Sequence, residues 1–442
     1  MLKRLFHADP HTFGAQLIRG GLASLVVRIL SIVAAMAASI TLARCLGAEQ
    51  FGTYSFIFSI ISVLAIPVQL GLPTLIVRET AKAEASEDWP LVSGLWRWST
   101  AAILCTSLIM MVLVGAWYLT LSQEMDEKRA SALLWALPLI PIISLGQARA
   151  AALRGLRRMF VGQLPDQVVK PFMLAGVIWI LSASSQIDAK SSLLIHALVG
   201  FLSFILGTFI LLGSKPSALT RRISPRMEVS SWMKSLLPLS LMSGMMLINQ
   251  NVDLVMIGFL IDDREVGIYR TAVAAATFAA FGLMTVELVV QPHIARLHAQ
   301  KNTRALQKLA SYSAAISFIS TIPVFIAFLL FGKQIIAVIF GDEYVLAYTP
   351  LVILTLSQCC YAFFGSAGNI LAMSGNEREN IKGQVLAMIA NIFFNFLLIP
   401  IFGIKGAAVS SGIALFVWRL SYWYSAKKIL NIDSSPKAIL LK

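Results

Sequence analysis

The stretch LARCLGAEQFGTYSF, Leu42 to Phe56, interrupts two long apolar runs with one Arg, one Glu and two Gly. A polar break is informative in a chain so short of polarity. The sequence is 57% hydrophobic and 13% charged, with a mean hydropathy of +0.78, whereas soluble domains carry about 25% charged residues. A soluble fold of 442 residues has no use for that much apolar surface, so the solvent around most of it is lipid. The break then reads as the outer turn between two membrane spans. Gly47 and Gly52 would let the chain reverse tightly, and Tyr54 would sit at headgroup level. Arg44 falls at the outer rim, as an anchor or gate contact.

Working outward from this turn, each span needs about 20 mostly apolar residues. Twelve such stretches occur, at 20–43, 51–75, 95–121, 132–152, 165–183, 190–213, 235–260, 267–290, 310–331, 345–372, 381–402 and 405–427. Pro67, Pro73, Pro138, Pro141, Pro171, Pro238, Pro323 and Pro350 fall in or beside them and are candidate kinks or packing residues.

Basic residues exceed acidic ones, 36 to 22. With the N-terminus inside, the cytoplasmic segments hold 26 Lys and Arg against eight outside, and Arg28 and Arg419 lie within spans. That bias orients both termini to the cytoplasm and accounts for the net charge of +14 without nucleic acid. The clusters at Arg154–Arg158 and at Arg221, Arg222 and Arg226 would face anionic lipid headgroups, or a polyphosphate.

The longest loop, near 214–234, has about 20 residues, too few for the external catalytic domain of a membrane glycosyltransferase or polymerase. Asp262 and Asp263 read as a solvated turn. There is no phosphate-binding G-x-x-x-x-G-K-[ST] loop and no nucleophile–base set. The four Cys lack metal spacing, so neither a metal nor a cofactor is expected. The first 21 residues lack the pattern of a signal peptide.

The opening turn has an echo. Leu46–Tyr54 matches Leu260–Tyr269, where "VG-x-Y" replaces "FG-x-Y", with one extra residue. LRGLRRMF and MSGNEREN align Gly155 with Gly375 and Arg158 with Arg378 at nearly the same offset, half the chain. The expectation is a duplicated six-helix unit: an all-α polytopic membrane protein of about twelve helices, in two pseudo-symmetric bundles around a central cavity. The first bundle would span 1–213, the linker 214–234 and the second bundle 235–442.

Three motifs carry a resemblance. "L-a-R-x-L-G-x-x-x-F-G-x-Y" runs through Leu42, Arg44, Leu46, Gly47, Phe51, Gly52 and Tyr54. "L-G-L…R-E-x-A" occupies Leu70 to Leu72, Arg78, Glu79 and Ala81, and "F-G-I-x-G-A-A" runs from Phe402 to Ala408. The chain resembles the polysaccharide-transport (Wzx-type) flippases, of the superfamily that also holds multidrug/toxin extruders and the lipid II flippase. The resemblance implies a V-shaped alternating-access transporter in the bacterial inner membrane. It would carry undecaprenyl-pyrophosphate-linked oligosaccharide from the cytoplasmic to the periplasmic leaflet, for O-antigen, capsule or exopolysaccharide. Implied partners are that lipid-linked substrate, membrane lipids and the polymerase and chain-length machinery. A cation-coupled drug extruder of the same superfamily is the alternative.

Such a cargo sets the chemistry. A pyrophosphate crossing about 30 Å of hydrocarbon needs cations and hydrogen-bond donors, so polar residues within spans are the candidates. Arg28, about 12 Å into span one, reads as a pyrophosphate ligand or as a buried pair with Asp253 or Glu287. Asn249, Gln250 and Asp253 read as one polar stripe on span seven. Asn249 and Gln250 would bind substrate or join helices, and Asp253 would couple transport to protons or sodium. Arg270 is a cavity cation or an interfacial anchor. Glu287 is a second coupling candidate near an inner helix end. Arg78 and Glu79 suggest a local salt bridge. Arg419, amid Trp418, Tyr422, Trp423 and Tyr424, suggests snorkelling to the interface. Asn391 and Asn395, on one face of span eleven, suggest interhelical packing.

Overall fold

The computed structural model describes residues 13–121, 126–184, 186–216, 219 and 224–437. The far N-terminal tail, Arg221 and Arg222 lie outside the described residues. No strand occurs among the described residues. Lipid offers no partner to a backbone N–H or C=O, and a helix satisfies both internally.

In the first half α1 is Phe13–Leu64, followed by the single turn α2 (Ile66–Gln69), α3 (Leu72–Ala85) and α4 (Trp89–Leu121). Next come α5 (Glu127–Ala136), α6 (Leu139–Gly155), α7 (Met159–Leu164), α8 (Lys170–Ser182) and α9 (Ala189–Ser214). In the second half α10 is Val229–Leu260, α11 Asp263–Ala299, α12 Thr303–Ile339, α13 Tyr348–Phe363, α14 Ala367–Met373, α15 Glu377–Phe402 and α16 Ile404–Leu430.

Ten stretches among the described residues are long and apolar enough to cross a membrane. One of them, Val26–Gln69, has 44 residues, about 66 Å of helix and twice the depth of the hydrocarbon. It therefore holds two passes, broken where Gly47 adopts φ +75°. The 27-residue α16 is also long enough to cross a membrane but carries Lys405, Arg419, Lys427 and Lys428. The expected all-α, roughly twelve-helix membrane architecture is therefore present. Proline breaks several helices: Pro138 separates α5 from α6, while Pro238, Pro292, Pro323 and Pro400 lie inside longer helices.

The chain forms two compact units. The first holds residues up to Thr41 with Ile61–Gly244, the second Leu42–Ile60 with Met245 onward. The opening turn thus folds with the second half of the sequence. Within that unit it meets its own echo. A Cβ on Gly52 would lie 1.5 Å from the Asp263 carbonyl oxygen, and one on Gly267 2.2 Å from that of Ala48. Only glycine permits so close a backbone approach. Thr53 Oγ1 donates to Asp263 Oδ2 at 2.6 Å, and Asp262 caps α11 by accepting from the Glu265 N–H at 2.8 Å. The acidic pair is therefore structural on both residues rather than a plain solvated turn.

Arg44 donates to the carbonyls of Ile339 (2.8 Å) and Val338, closing the C-terminus of α12, where carbonyls are otherwise unpaired. Tyr344 donates its hydroxyl to the Ala43 carbonyl at 2.8 Å. The Tyr54 ring packs inside the protein, 6% exposed, between Phe51 and Phe58. The other sequence echo also marks matching breaks. Gly155 ends α6 before α7, and Gly375, at φ +78°, follows α14 before α15.

Candidate functional site

The most concentrated polar site within the spans lies in the second unit, around Asp253 on α10. Its Oδ1 accepts from Asn395 Nδ2 of α15 at 2.6 Å. Its Oδ2 accepts from the Tyr269 hydroxyl of α11 at 3.0 Å and from Ser411 Oγ of α16. Asn395 Nδ2 also donates to Asn391 Oδ1. Four helices thus converge on one carboxylate, and every donor is neutral. Tyr269, Asn391 and Asn395 are buried at 1%, 4% and 0% exposure. Asn395 Oδ1 is buried with no donor of its own. Carboxylate, amide and hydroxyl oxygens gathered this way suit a proton or a hard cation.

The other candidates fall in different places. Asn249 is half-buried, its Oδ1 enclosed without a partner, whereas Gln250 is exposed and stands outside the Asp253 network. Arg270 is half-buried and interacts electrostatically with Tyr54. Arg28 is half-buried in the first unit, its carbonyl accepting from Ser31 Oγ at 2.8 Å. Glu287 pairs with Arg419 at 3.7 Å. Arg419 is not a snorkelling residue: it is 4% exposed, with its guanidinium 3.3 Å from the Tyr361 ring centre and flanked by Trp418 and Tyr422. Two residues of the aromatic run, Trp418 and Tyr422, join Tyr361 of α13 as the walls of a buried cation box. The Arg78–Glu79 bridge forms at 2.8 Å.

The first unit holds a second network that span counting misses. Arg149 on α6 pairs with Asp166 and donates to the carbonyls of Ser203 (3.0 Å) and Phe204 (3.2 Å) on α9. Ser203 Oγ donates to the Pro165 carbonyl at 2.9 Å and to Asp166 Oδ1 at 3.3 Å. Asp166 sits in a π-helical turn, Pro165–Val169, between α7 and α8. Counting by flank assigns Arg149 and Lys170 to the cytoplasmic side, but both lie inside apolar spans. Removing them leaves 24 basic residues on the side expected to be cytoplasmic against eight on the other. The missed signal is positional: Arg149 falls within 132–152 and Asp166 within 165–183, as residues of neighbouring spans.

Comparison with known proteins decides the family. The family model "Polysaccharide biosynthesis protein" matches residues 17–298, well over half of the chain. The chain belongs to the polysaccharide biosynthesis protein family. A second model, MatE, matches residues 238–401. A probable low-salt glycan biosynthesis flippase, Agl15, of Haloferax volcanii is 22% identical over 85% of this chain and 76% of that protein. The capsular polysaccharide biosynthesis protein CapF of Staphylococcus aureus is 23% identical over 44% of this chain and 49% of its own length. Among solved structures, an inward-facing multidrug resistance MATE family transporter of the MOP superfamily superposes with a TM-score of 0.72 at 14% identity, covering 93% of this chain and 98% of its own. The lipid II flippase MurJ superposes at 0.71 with 17% identity, covering 93% and 87%. The fold is therefore that of MOP-superfamily transporters, with two pseudo-symmetric helical bundles.

Proposed function

We propose that this polysaccharide biosynthesis protein is a flippase for lipid-linked oligosaccharide. It would move undecaprenyl-pyrophosphate-linked repeat units from the cytoplasmic to the periplasmic leaflet of the bacterial inner membrane by alternating access, with both termini inside. The observation that carries the reading is the match of residues 17–298 to the polysaccharide biosynthesis family. The probable low-salt glycan biosynthesis flippase of H. volcanii, similar over 85% of the chain, supports it. Arg28 and Arg270 are the proposed pyrophosphate ligands, with Asn249 and Gln250 as hydrogen-bonding contacts to the glycan head.

Asp253 is the proposed coupling residue. Its carboxylate has three neutral donors and no ion-pair partner among the described residues. Buried charge without a counter-charge is costly, and a proton or sodium ion taken up by Asp253 and the free Asn395 Oδ1 would remove that cost. Glu287 already has Arg419 and is the weaker candidate.

The test is a deletion strain analysed for lipid-linked intermediates. Accumulation of one undecaprenyl-linked repeat unit, reversed by the gene, is expected. Unchanged surface glycan together with new sensitivity to cationic drugs would favour the multidrug extruder, the second reading, which the MatE match over 238–401 supports.

A further inference from the structure

We propose that Lys170 forms a site for a phosphate-type anion inside the first unit. Lys170 stands near the midpoint of the 24-residue apolar span Met159–Ser182, about 17 Å from either end of it. A lysine stem reaches roughly 6 Å, less than the distance from Lys170 to either end of that stretch. It makes neither a hydrogen bond nor an ion pair with any described residue. The nearby carboxylate, Asp166, lies one turn earlier but is already taken by Arg149 and Ser203. Arg149, Asp166 and Lys170 interact electrostatically as two cations and one anion. One positive charge is therefore left over, half-buried, within an apolar stretch, where an isolated ion is expensive and marks function by default.

The backbone holds Lys170 in this position. Its N–H closes the π turn on the Pro165 carbonyl, a local irregularity common at functional sites. Pro171 follows and can donate nothing. Facing it on α9, buried His196 interacts with Lys170 electrostatically. One turn before His196, Ser192 Oγ is buried with no partner, a spare hydroxyl donor. An ammonium, an idle hydroxyl and a net positive cluster suit a phosphate oxygen better than a cation or a neutral sugar. That the anion belongs to the pyrophosphate of the cargo rests on the flippase reading above; the anion site itself does not.

The experiment uses the full-length protein, purified in detergent and in nanodiscs of zwitterionic lipid, with inorganic pyrophosphate as the probe and thermal midpoint as the readout. Pyrophosphate is expected to stabilise wild type and K170R, with about tenfold or weaker apparent affinity for K170M. K170Q carries the same comparison if K170M fails to fold. Stabilisation seen only with anionic lipid in the nanodisc, and lost in K170M, supports the site with a headgroup as the source. Equal stabilisation of wild type and K170M by either additive, or none of wild type by both, overturns it. K170-dependent binding in a protein whose deletion leaves the lipid-linked intermediates unchanged would keep the anion site and sink the flippase reading.

Discussion

In the second unit the Asp253 carboxylate is held by a phenol, a hydroxyl and an amide; in the first unit Asp166 is held by a guanidinium and a hydroxyl. Both use residues from several helices and both lie in apolar spans. The difference is charge. Arg149 cancels Asp166, so that pair can persist through a transport cycle as internal scaffolding. Asp253 is solvated by dipoles alone. Dipoles stabilise a carboxylate without neutralising it, so the site stays receptive to a proton or a metal cation. One network is a lock and the other is a vacancy for charge.

The sharpest way to break this distinction is to remove Arg149. R149M removes the guanidinium that holds Asp166 and leaves only Lys170, one turn away, as counter-charge. Breaking a buried pair costs about 3–5 kcal/mol, and Lys170 offsets part of it. The expected result is loss of folded protein, measured by expression and thermal midpoint, with recovery in R149M/D166L. Normal stability in R149M would show that the pair is not a lock. The reverse pattern is expected for D253N. The amide keeps the carboxylate's shape, and the hydroxyls of Tyr269 and Ser411 can turn to accept, so stability should change by about 1 kcal/mol or less. Ion-dependent transport should fall by about tenfold or more. Ion dependence unchanged from wild type would remove Asp253 from the coupling role.

The legibility of the two networks differs for the same physical reason. Asp253 stands inside a long, mostly apolar span, so it is visible in sequence as an intramembrane charge. Its partners are not: Tyr269, Asn395 and Ser411 come from three other helices, and nothing in local spacing says that Asn391 and Asn395 face a carboxylate rather than a neutral helix. Arg149 is hidden differently. It precedes RGLRRM, and a basic run at a span's end has the appearance of a cytoplasmic anchor. The helical fold and the repeat were legible because hydropathy and Gly-x-Tyr turns are local signals. The packing of Gly52 on Gly267 was not, although both glycines belong to that repeat, because the sequence places them 215 residues apart.

A smaller effect separates the donors at Asp253 from one another. Tyr269 is buried and shares its hydroxyl between Asp253 at 3.0 Å and Ser411 at 3.3 Å. Y269F removes one hydrogen bond while keeping the ring, at a cost of about 0.5–1.5 kcal/mol. If dipoles hold the carboxylate ready for an ion, Y269F should raise the ion concentration giving half-maximal transport severalfold or less, while D253N abolishes the dependence. Y269F that behaves as D253N would mean the tyrosine, not the carboxylate, carries the coupling.

The smallest effect concerns Asp433, a carboxylate beyond the last helix that combines both modes of support. Its Oδ1 accepts from Trp423 Nε1 at 2.9 Å and from Ser435 N–H and Oγ at 3.0 and 2.7 Å, while Lys427 approaches Oδ2 at 3.7 Å. Partial burial works to raise its pKa, but the Ser435 and Trp423 hydrogen bonds, together with Lys427, outweigh it and hold the carboxyl below its ordinary value. A lowered folded pKa means that its stabilising contribution is complete above about pH 4, the unfolded value. It is lost as the pH falls through the lower folded value. Gln307 clamps the same residue through its backbone, accepting from the Asp433 N–H at 2.8 Å and donating to its carbonyl at 2.5 Å, so the segment should stay attached when the side chain is neutral. D433N should therefore speed amide exchange of residues 431–436 at pH 7 by only a few-fold, under about 1 kcal/mol. The difference should vanish well below pH 4 in a pH-corrected measurement. A pH-independent difference would mean that the hydrogen bonds, not the charge, carry Asp433, and dipoles alone would then suffice for a carboxylate even beside water.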